Sequence, residues 1–343
     1  MTFNALLKTT SLYFFLLCSL FVSTIIALNA TDWFFIWAAL EINMISFIPL
    51  LFFGRSPQTW NGATEYFFPQ AAGSLLILTA AVTLLSEHTH TQASSVMIFI
   101  ALLVKGGFAP FHYWFVNVFS TLNSWALCLL ISTWQKIIPV FFLSSSLIVM
   151  DPMLVMFTAT LGASWGMLSA ANQTDFQMFI AYSSVGNLGW FLMLTPTTKF
   201  AALSFFFMYT LMLTTLISLL YSLSPNTTPN FSSATQMNTP HKAAVTLCLL
   251  SLAGFPFTTG FLMKIWVIMS AISQTSSMLW LIFIPLVFST VAYARFIFYL
   301  LFNSPSSTSP LTNTGLKILW SPLMLLLSIH CAPAMMALLQ LSL

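Results

Sequence analysis

Apolar runs of about twenty residues follow one another along nearly the whole chain, each the length that one helix needs to cross a hydrocarbon layer of about 30 Å. Only 4% of the 343 residues are Asp, Glu, Lys or Arg, and mean hydropathy is +0.94, so the charged surface that a soluble domain of this size requires is missing. Read between polar breaks, the runs predict about eleven membrane helices, over 10–28, 33–53, 63–85, 93–111, 122–148, 153–171, 176–194, 200–223, 243–270, 278–301 and 316–341. A membrane β-barrel would show short alternating segments instead, which excludes it. The fold expected is all-α and polytopic.

With that many crossings, Lys8, Arg55, Lys242 and Lys317 fall on the amino-terminal side, with Arg295 close to it, and Lys199 alone lies opposite. Positive residues are retained on the inner side, so the amino terminus is expected inside. Asp32, Glu87 and Asp151 fall on the other side, in agreement. The first apolar run carries no small-residue cleavage site and no Arg-rich amphipathic pattern, so neither a signal nor a transit peptide is expected.

Several chemistries are disfavoured by pattern. Cys18, Cys128, Cys248 and Cys331 are scattered along the chain with no C-x-x-C pair, which argues for helix packing and against an iron–sulfur or zinc site. His88 and His90 lie in the polar segment SEHTHTQ and His241 at a helix entrance; no helix carries the paired histidines of a haem-binding membrane cytochrome. Glycine-rich phosphate-binding fingerprints are also missing, so no nucleotide is expected to bind here. The N-x-[ST] sequons at Asn29, Asn172, Asn226 and Asn230 carry meaning only in the secretory pathway.

Two segments echo each other: ALLVKGGFAPFHYWF around Lys105 and SLAGFPFTTGFLMKIW around Lys264. Each joins a lysine to a proline, Pro110 or Pro256, and to glycines, Gly106, Gly107, Gly254 and Gly260, that loosen the helical ladder. Both helices are therefore expected to be interrupted near the proline. Interrupted helices at matching places in two halves mark ion-translocating folds built on repeats. Counting helices, Lys105 lies in the fourth and Lys264 in the ninth, a five-helix period that inverts the second copy. The expected organisation is a first five-helix repeat over 1–149, an inverted second one over 150–303 and a carboxy-terminal helix within 304–343.

Glu41, Lys105, Lys136 and Lys264 stand inside these apolar stretches. A charge at mid-membrane costs roughly 2.5 to 3.5 kcal/mol on insertion scales, so such residues mark ion or proton pathways. Lys264 could instead snorkel to an interface, whereas Lys136, one turn before Pro139, is too deep for that. Burial disfavours the charged lysine and a carboxylate restores it, so Glu41 and Lys105 are expected to pair and to exchange a proton. His112, just after Pro110, either joins the relay or hydrogen-bonds backbone freed by the break.

WAALEINMISFIPLL, LLVKGGFAPFHYWFVNV, STWQKIIP, NQTDFQMFIAYSSVGNLGW and GFPFTTGFLMKIW, in this order and across nearly the whole chain, resemble the mitochondrially encoded antiporter-like subunit 2 family of respiratory complex I, the NADH:ubiquinone oxidoreductase. The resemblance implies that Glu41 matches the coupling glutamate, Lys105 and Lys264 the lysines of the two broken helices, and Lys136 the connecting lysine. It also implies a matrix-side amino terminus in the inner membrane, partners among other membrane-arm subunits and the lipid bilayer, no nucleic acid, and no cofactor in this chain. NADH, FMN, iron–sulfur clusters and ubiquinone would belong to the rest of the complex. Asn187 replaces a histidine frequent in relatives, and Asp175, Phe176 and Gln177 stand where relatives carry a basic pair. Asn187 cannot titrate near neutral pH, which leaves the proton path past it to water or His112. The function so implied is proton translocation driven by electron transfer elsewhere; a standalone cation/proton antiporter and a purely structural membrane subunit are the alternatives.

Overall fold

The computed structural model describes residues 3–53, 57–86, 91–122, 124–146, 150–223, 239–256, 258–274 and 279–302. The expected helix over 316–341, together with Arg55, Glu87, His88, His90, Lys317, Cys331 and most of the polar stretch before His241, lies outside them. The described residues form helices joined by short turns. The chain divides into two compact units, Met1–Asp151 and Pro152–Leu343.

In the first unit the helices are α1 (Phe3–Asn29), α2 (Trp33–Phe52), α3 (Pro57–Ser86), α4 (Thr91–Gly106), α5 (Tyr113–Thr121), α6 (Trp125–Leu129) and α7 (Gln135–Ser146), with a π-helical turn, Leu130–Trp134, between the last two. In the second unit they are α8 (Pro152–Ala171), α9 (Phe176–Leu194), α10 (Lys199–Leu223), α11 (Thr239–Ala253), α12 (Thr259–Gln274) and α13 (Leu279–Phe302). Among the described residues, seven stretches are individually long and apolar enough to cross a membrane, and the shorter apolar helices include α4, α11 and α12, which flank interruptions.

α13 shows how a helix of this chain divides its faces. On α13, Ile282, Ser289, Ala292, Tyr293, Phe296, Ile297 and Leu300 make a buried stripe, while Phe283, Val287, Val291, Phe298 and Leu301 are exposed on the other side. Small residues bring α8 and α9 together until their backbones touch: a Cβ on Gly166 would stand 2.6 Å from Gly186 N, and one on Gly189 2.5 Å from Ala163 N. Close backbone approach through small residues is how helices gain dispersion contacts where lipid offers no hydrophobic drive. Arg295 of α13 donates from Nη1 to the carbonyl of Ala171, an unpaired acceptor at the end of α8.

Both expected helix interruptions are present. The first separates α4 from α5 between Gly107 and His112, and the second separates α11 from α12 between Gly254 and Thr258. Gly107 (φ 66°) and Gly254 (φ 80°) end the preceding half-helix in the left-handed conformation that lets a chain turn away without a Cβ clash. The caps are alike. Phe108 N bonds Leu103 O (3.0 Å) and Gly107 N bonds Val104 O (3.2 Å); Phe255 N bonds Leu250 O (3.2 Å) and Gly254 N bonds Ser251 O (3.1 Å). Each break is thus a Schellman cap in mid-chain. Pro110 follows the first cap through a cis Ala109–Pro110 bond. Pro139, by contrast, sits inside α7, where the π-helical turn just before Lys136 accommodates the ladder instead of a break.

Candidate proton-relay site

Lys105, His112 and Lys264 fall at the breaks and Lys136 beside the π-helical turn, whereas Glu41 stands in the middle of α2. Lys105, Lys136 and Lys264 are 3%, 1% and 6% exposed, burial that an amine tolerates only with specific partners. Each meets different ones.

Lys105 occupies the last turn of α4, where carbonyls left over by the break would otherwise face apolar surroundings. Gln70 of α3 donates from Nε2 to Lys105 O (3.0 Å), and Trp114 of α5 donates from Nε1 to Val104 O (2.9 Å). The lysine stem runs along α3 at Gly73, where a Cβ would come within 2.8 Å of Lys105 Cγ. Its ammonium, Nζ, makes no hydrogen bond among the described residues and interacts electrostatically with Glu41. Glu41 itself is half-buried in the middle of α2. The expected pair is therefore within electrostatic reach without a hydrogen bond to lock it.

Lys136 opens α7, and its Nζ stands 3.8 Å from the centre of the Phe115 ring, a cation–π contact supplied by α5. The preceding residue, Gln135, accepts a hydrogen bond through Oε1 from the Tyr66 hydroxyl of α3 (3.3 Å). His112 is buried and stacks on Tyr113 at 4.5 Å; it interacts with the Pro110 backbone and caps α5 through its own carbonyl, which accepts from Phe115 N and Val116 N.

Lys264 lies beyond its break, on α12, and folds back toward the cap. Its Nζ donates to Ala253 O (2.6 Å) and to Ser289 Oγ of α13 (2.7 Å), and stands 5.6 Å from the Trp190 ring. Gly254 leaves room for it: a Cβ there would meet Lys264 Cδ at 2.8 Å and Nζ at 3.2 Å. Deeper in the same unit, Asn187 donates from Nδ2 to Ser183 O (2.9 Å) and to the Tyr293 hydroxyl (3.3 Å).

Sequence reasoning passed over Glu65. It lies at the edge of the apolar run over 63–85, yet α3 begins at Pro57, so the carboxylate sits two turns inside the helix with Oε2 buried and unbonded. A charge inside the bounds of a predicted span was the signal. No set of His, Cys, Asp and Glu among the described residues is arranged to hold a metal ion.

Comparison with known proteins agrees with this architecture. The chain is 32% identical over 255 residues to NADH-ubiquinone oxidoreductase chain 2 of Lumbricus terrestris, covering 73% of this chain and 75% of that protein. Against NADH-ubiquinone oxidoreductase chain 2 of Lemur catta it is 30% identical over 348 residues, covering 94% of this chain and 98% of that protein. In fold, it matches a chain of respiratory complex I from Thermus thermophilus, solved with bound aureothin, at a TM-score of 0.76 and 18% identity over 94% of this chain and 77% of that chain. The NADH:quinone oxidoreductase/Mrp antiporter transmembrane family matches residues 30–291, and the chain is a member of that family.

Proposed function

We propose that this chain is a proton-translocating membrane-arm subunit of an NADH:ubiquinone oxidoreductase in the mitochondrial inner membrane, moving protons along Glu41, Lys105, Lys136 and Lys264. The observation that carries this reading is the burial of Lys105 and Lys264 at two helix interruptions with the same cap, in a chain of this family. Interrupted membrane helices supply polar backbone in mid-membrane, and amines placed there can change charge without facing lipid.

Moving one charge against the membrane potential costs about 2.3 kcal/mol per 100 mV, so each step must draw on electron transfer elsewhere in the complex. The chain provides the path and no redox centre; its partners are other membrane-arm subunits. In the same reading residues 1–149 and 150–303 are inverted repeats, His112 serves as a relay member beside Lys105, and the amino terminus and the stretch before His241 face the matrix. Protease cutting of that stretch in mitoplasts with a sealed matrix would count against the orientation.

The deciding experiment substitutes Lys105 and Lys264 together by Met in the assembled complex and measures protons moved per NADH oxidised. A lower ratio is expected. An unchanged ratio overturns the reading and leaves these lysines as structural.

A further inference from the structure

We propose that Ser289 and Tyr293 of α13 are relay residues that carry protons between Lys264 and the region around Asn187, with Asn187 positioning the Tyr293 hydroxyl. The inference rests on the proton-translocation reading above. Asn187 has no titrating group, and its side chain is committed: Nδ2 is shared between Ser183 O and the Tyr293 hydroxyl. A proton passing this region therefore needs another group that can accept on one side and donate on the other, which a hydroxyl does.

Geometry singles out these two. Lys264 Nζ already donates to Ser289 Oγ at 2.7 Å. Ser289 and Tyr293 are four residues apart on the buried stripe of α13, neighbours on one helix face. Helical side chains lean toward the amino terminus, so the Tyr293 ring lies over the turn that carries Ser289. Both residues are fully buried, and Phe179 and Phe296 wall the track on one side, Phe179 standing edge-on to Tyr293 at 5.3 Å. Tyr209 of α10 is near enough to Tyr293 to interact electrostatically, extending the polar group toward a third helix. Both hydroxyls are hydrogen-bonded, Ser289 to Lys264 and the Leu286 carbonyl and Tyr293 to Asn187, so the column is buried without an orphaned polar group.

The transfer balances without storing charge on a hydroxyl. As Lys264 passes a proton to Ser289 Oγ, the serine turns its own proton from the Leu286 carbonyl, which it now bonds at 2.8 Å, toward Tyr293. Tyr293 accepts and releases its own phenolic proton past the Ser183 hydroxyl beside it to a water molecule, which carries it off as hydronium, while the Asn187 amide holds the oxygen in place. Lys264 ends neutral and one proton has left the column.

Tyr293→Phe keeps the ring and its packing and removes only the hydroxyl. In coupled membranes holding the assembled complex, proton movement per complex should slow on the order of tenfold, with an altered solvent-deuterium isotope effect that lost packing would not produce. Ser289→Ala should slow it in the same direction. Adding Asn187→His to Tyr293→Phe should restore transfer, since an imidazole can accept and donate where the amide cannot. Lys264→Met, run alongside, separates the two levels of argument. If Lys264→Met is impaired and Tyr293→Phe moves protons at the unaltered rate with an unchanged isotope effect, the Ser289–Tyr293 route is wrong and the wider reading stands. If Lys264→Met is itself unimpaired, both fall.

Discussion

The two helix breaks share a cap and differ in who closes it. At the first, the freed carbonyls of Val104 and Lys105 are covered by Trp114 and Gln70, and the Lys105 ammonium makes no hydrogen bond among the described residues and answers electrostatically to Glu41. At the second, the Lys264 ammonium itself covers the Ala253 carbonyl and also bonds Ser289. Holding the break and carrying the charge are separate tasks at Lys105 and a single task at Lys264. In the proposed relay, the first lysine gains or loses its proton with the break undisturbed. The second does not, because a charge-assisted bond to the cap weakens when the charge leaves.

The steepest test of this contrast is steric. A Cβ on Gly260 would collide with the Ser251 carbonyl, backbone against backbone with no flexible side chain to give way. Gly260→Ala should therefore cost at least about 3 kcal/mol and sharply lower the yield of assembled complex. At the first break, Gly107→Ala meets the Phe115 Cβ at 2.9 Å and forces a positive φ on a residue with a side chain, for about 1–3 kcal/mol. Equal assembly of the two variants would show that α11 and α12 are not clamped more tightly than α4 and α5.

Next comes chemistry. Lys105→Met and Lys264→Met should each slow proton movement on the order of a hundredfold, the scale of losing a positioned acid–base group. Only Lys264→Met should also lower the temperature at which the complex loses activity, because only there does the substitution uncover a capped carbonyl. Matched thermal losses in both variants would erase the proposed division of tasks.

The breaks themselves were legible in sequence, since proline and glycine act within a turn of where they stand and a lysine in an apolar run is conspicuous. Several spans were too, and α9 fills 176–194 as the apolar pattern predicts; α5, however, covers 113–121, between the expected spans 93–111 and 122–148, because the helix resumes past the break at Pro110. The partners were not legible. Gln70 reaches Lys105 across 35 positions, Phe115 lies under Lys136 from another helix, and Ser289 finds Lys264 across a third, and no local period encodes such pairings. The π-helical turn before Lys136 was hidden for a related reason: Pro139 reads as a kink wherever it stands, and only packing decides which bond of the ladder gives way. Glu65 escaped because a charge near a predicted boundary looks interfacial until the helix is known to start two turns earlier.

A smaller effect sharpens the first break from the carboxylate side. Glu41→Gln and Lys105→Met should each impair pumping, and the double substitution should cost little more than the worse single, because both remove the same switch. The expected coupling is roughly 1–3 kcal/mol, read from proton-coupled turnover of the three variants in assembled complex. Simple addition of the two losses would mean that Glu41 and Lys105 act apart.

The smallest expected effect is the most diagnostic. Gln70→Leu keeps most of the side-chain volume in α3 and removes the donor to Lys105 O, leaving one carbonyl of the first break without its side-chain partner. Losing that bond should cost about 1 kcal/mol of stability and leave proton movement close to unaltered, because the Lys105 ammonium takes no part in it. Ser289→Ala is the counterpart at the second break: it also deletes one hydrogen bond of similar strength, yet the bond belongs to the ammonium, so transport should fall while the cap, still held by Lys264 on Ala253, keeps most of its stability. The pair of variants thus trades places, one losing stability and the other transport. Were Gln70→Leu to slow pumping as much as Ser289→Ala, capping and charge would be linked at the first break too, and the two lysines would differ in position along the helix without differing in kind.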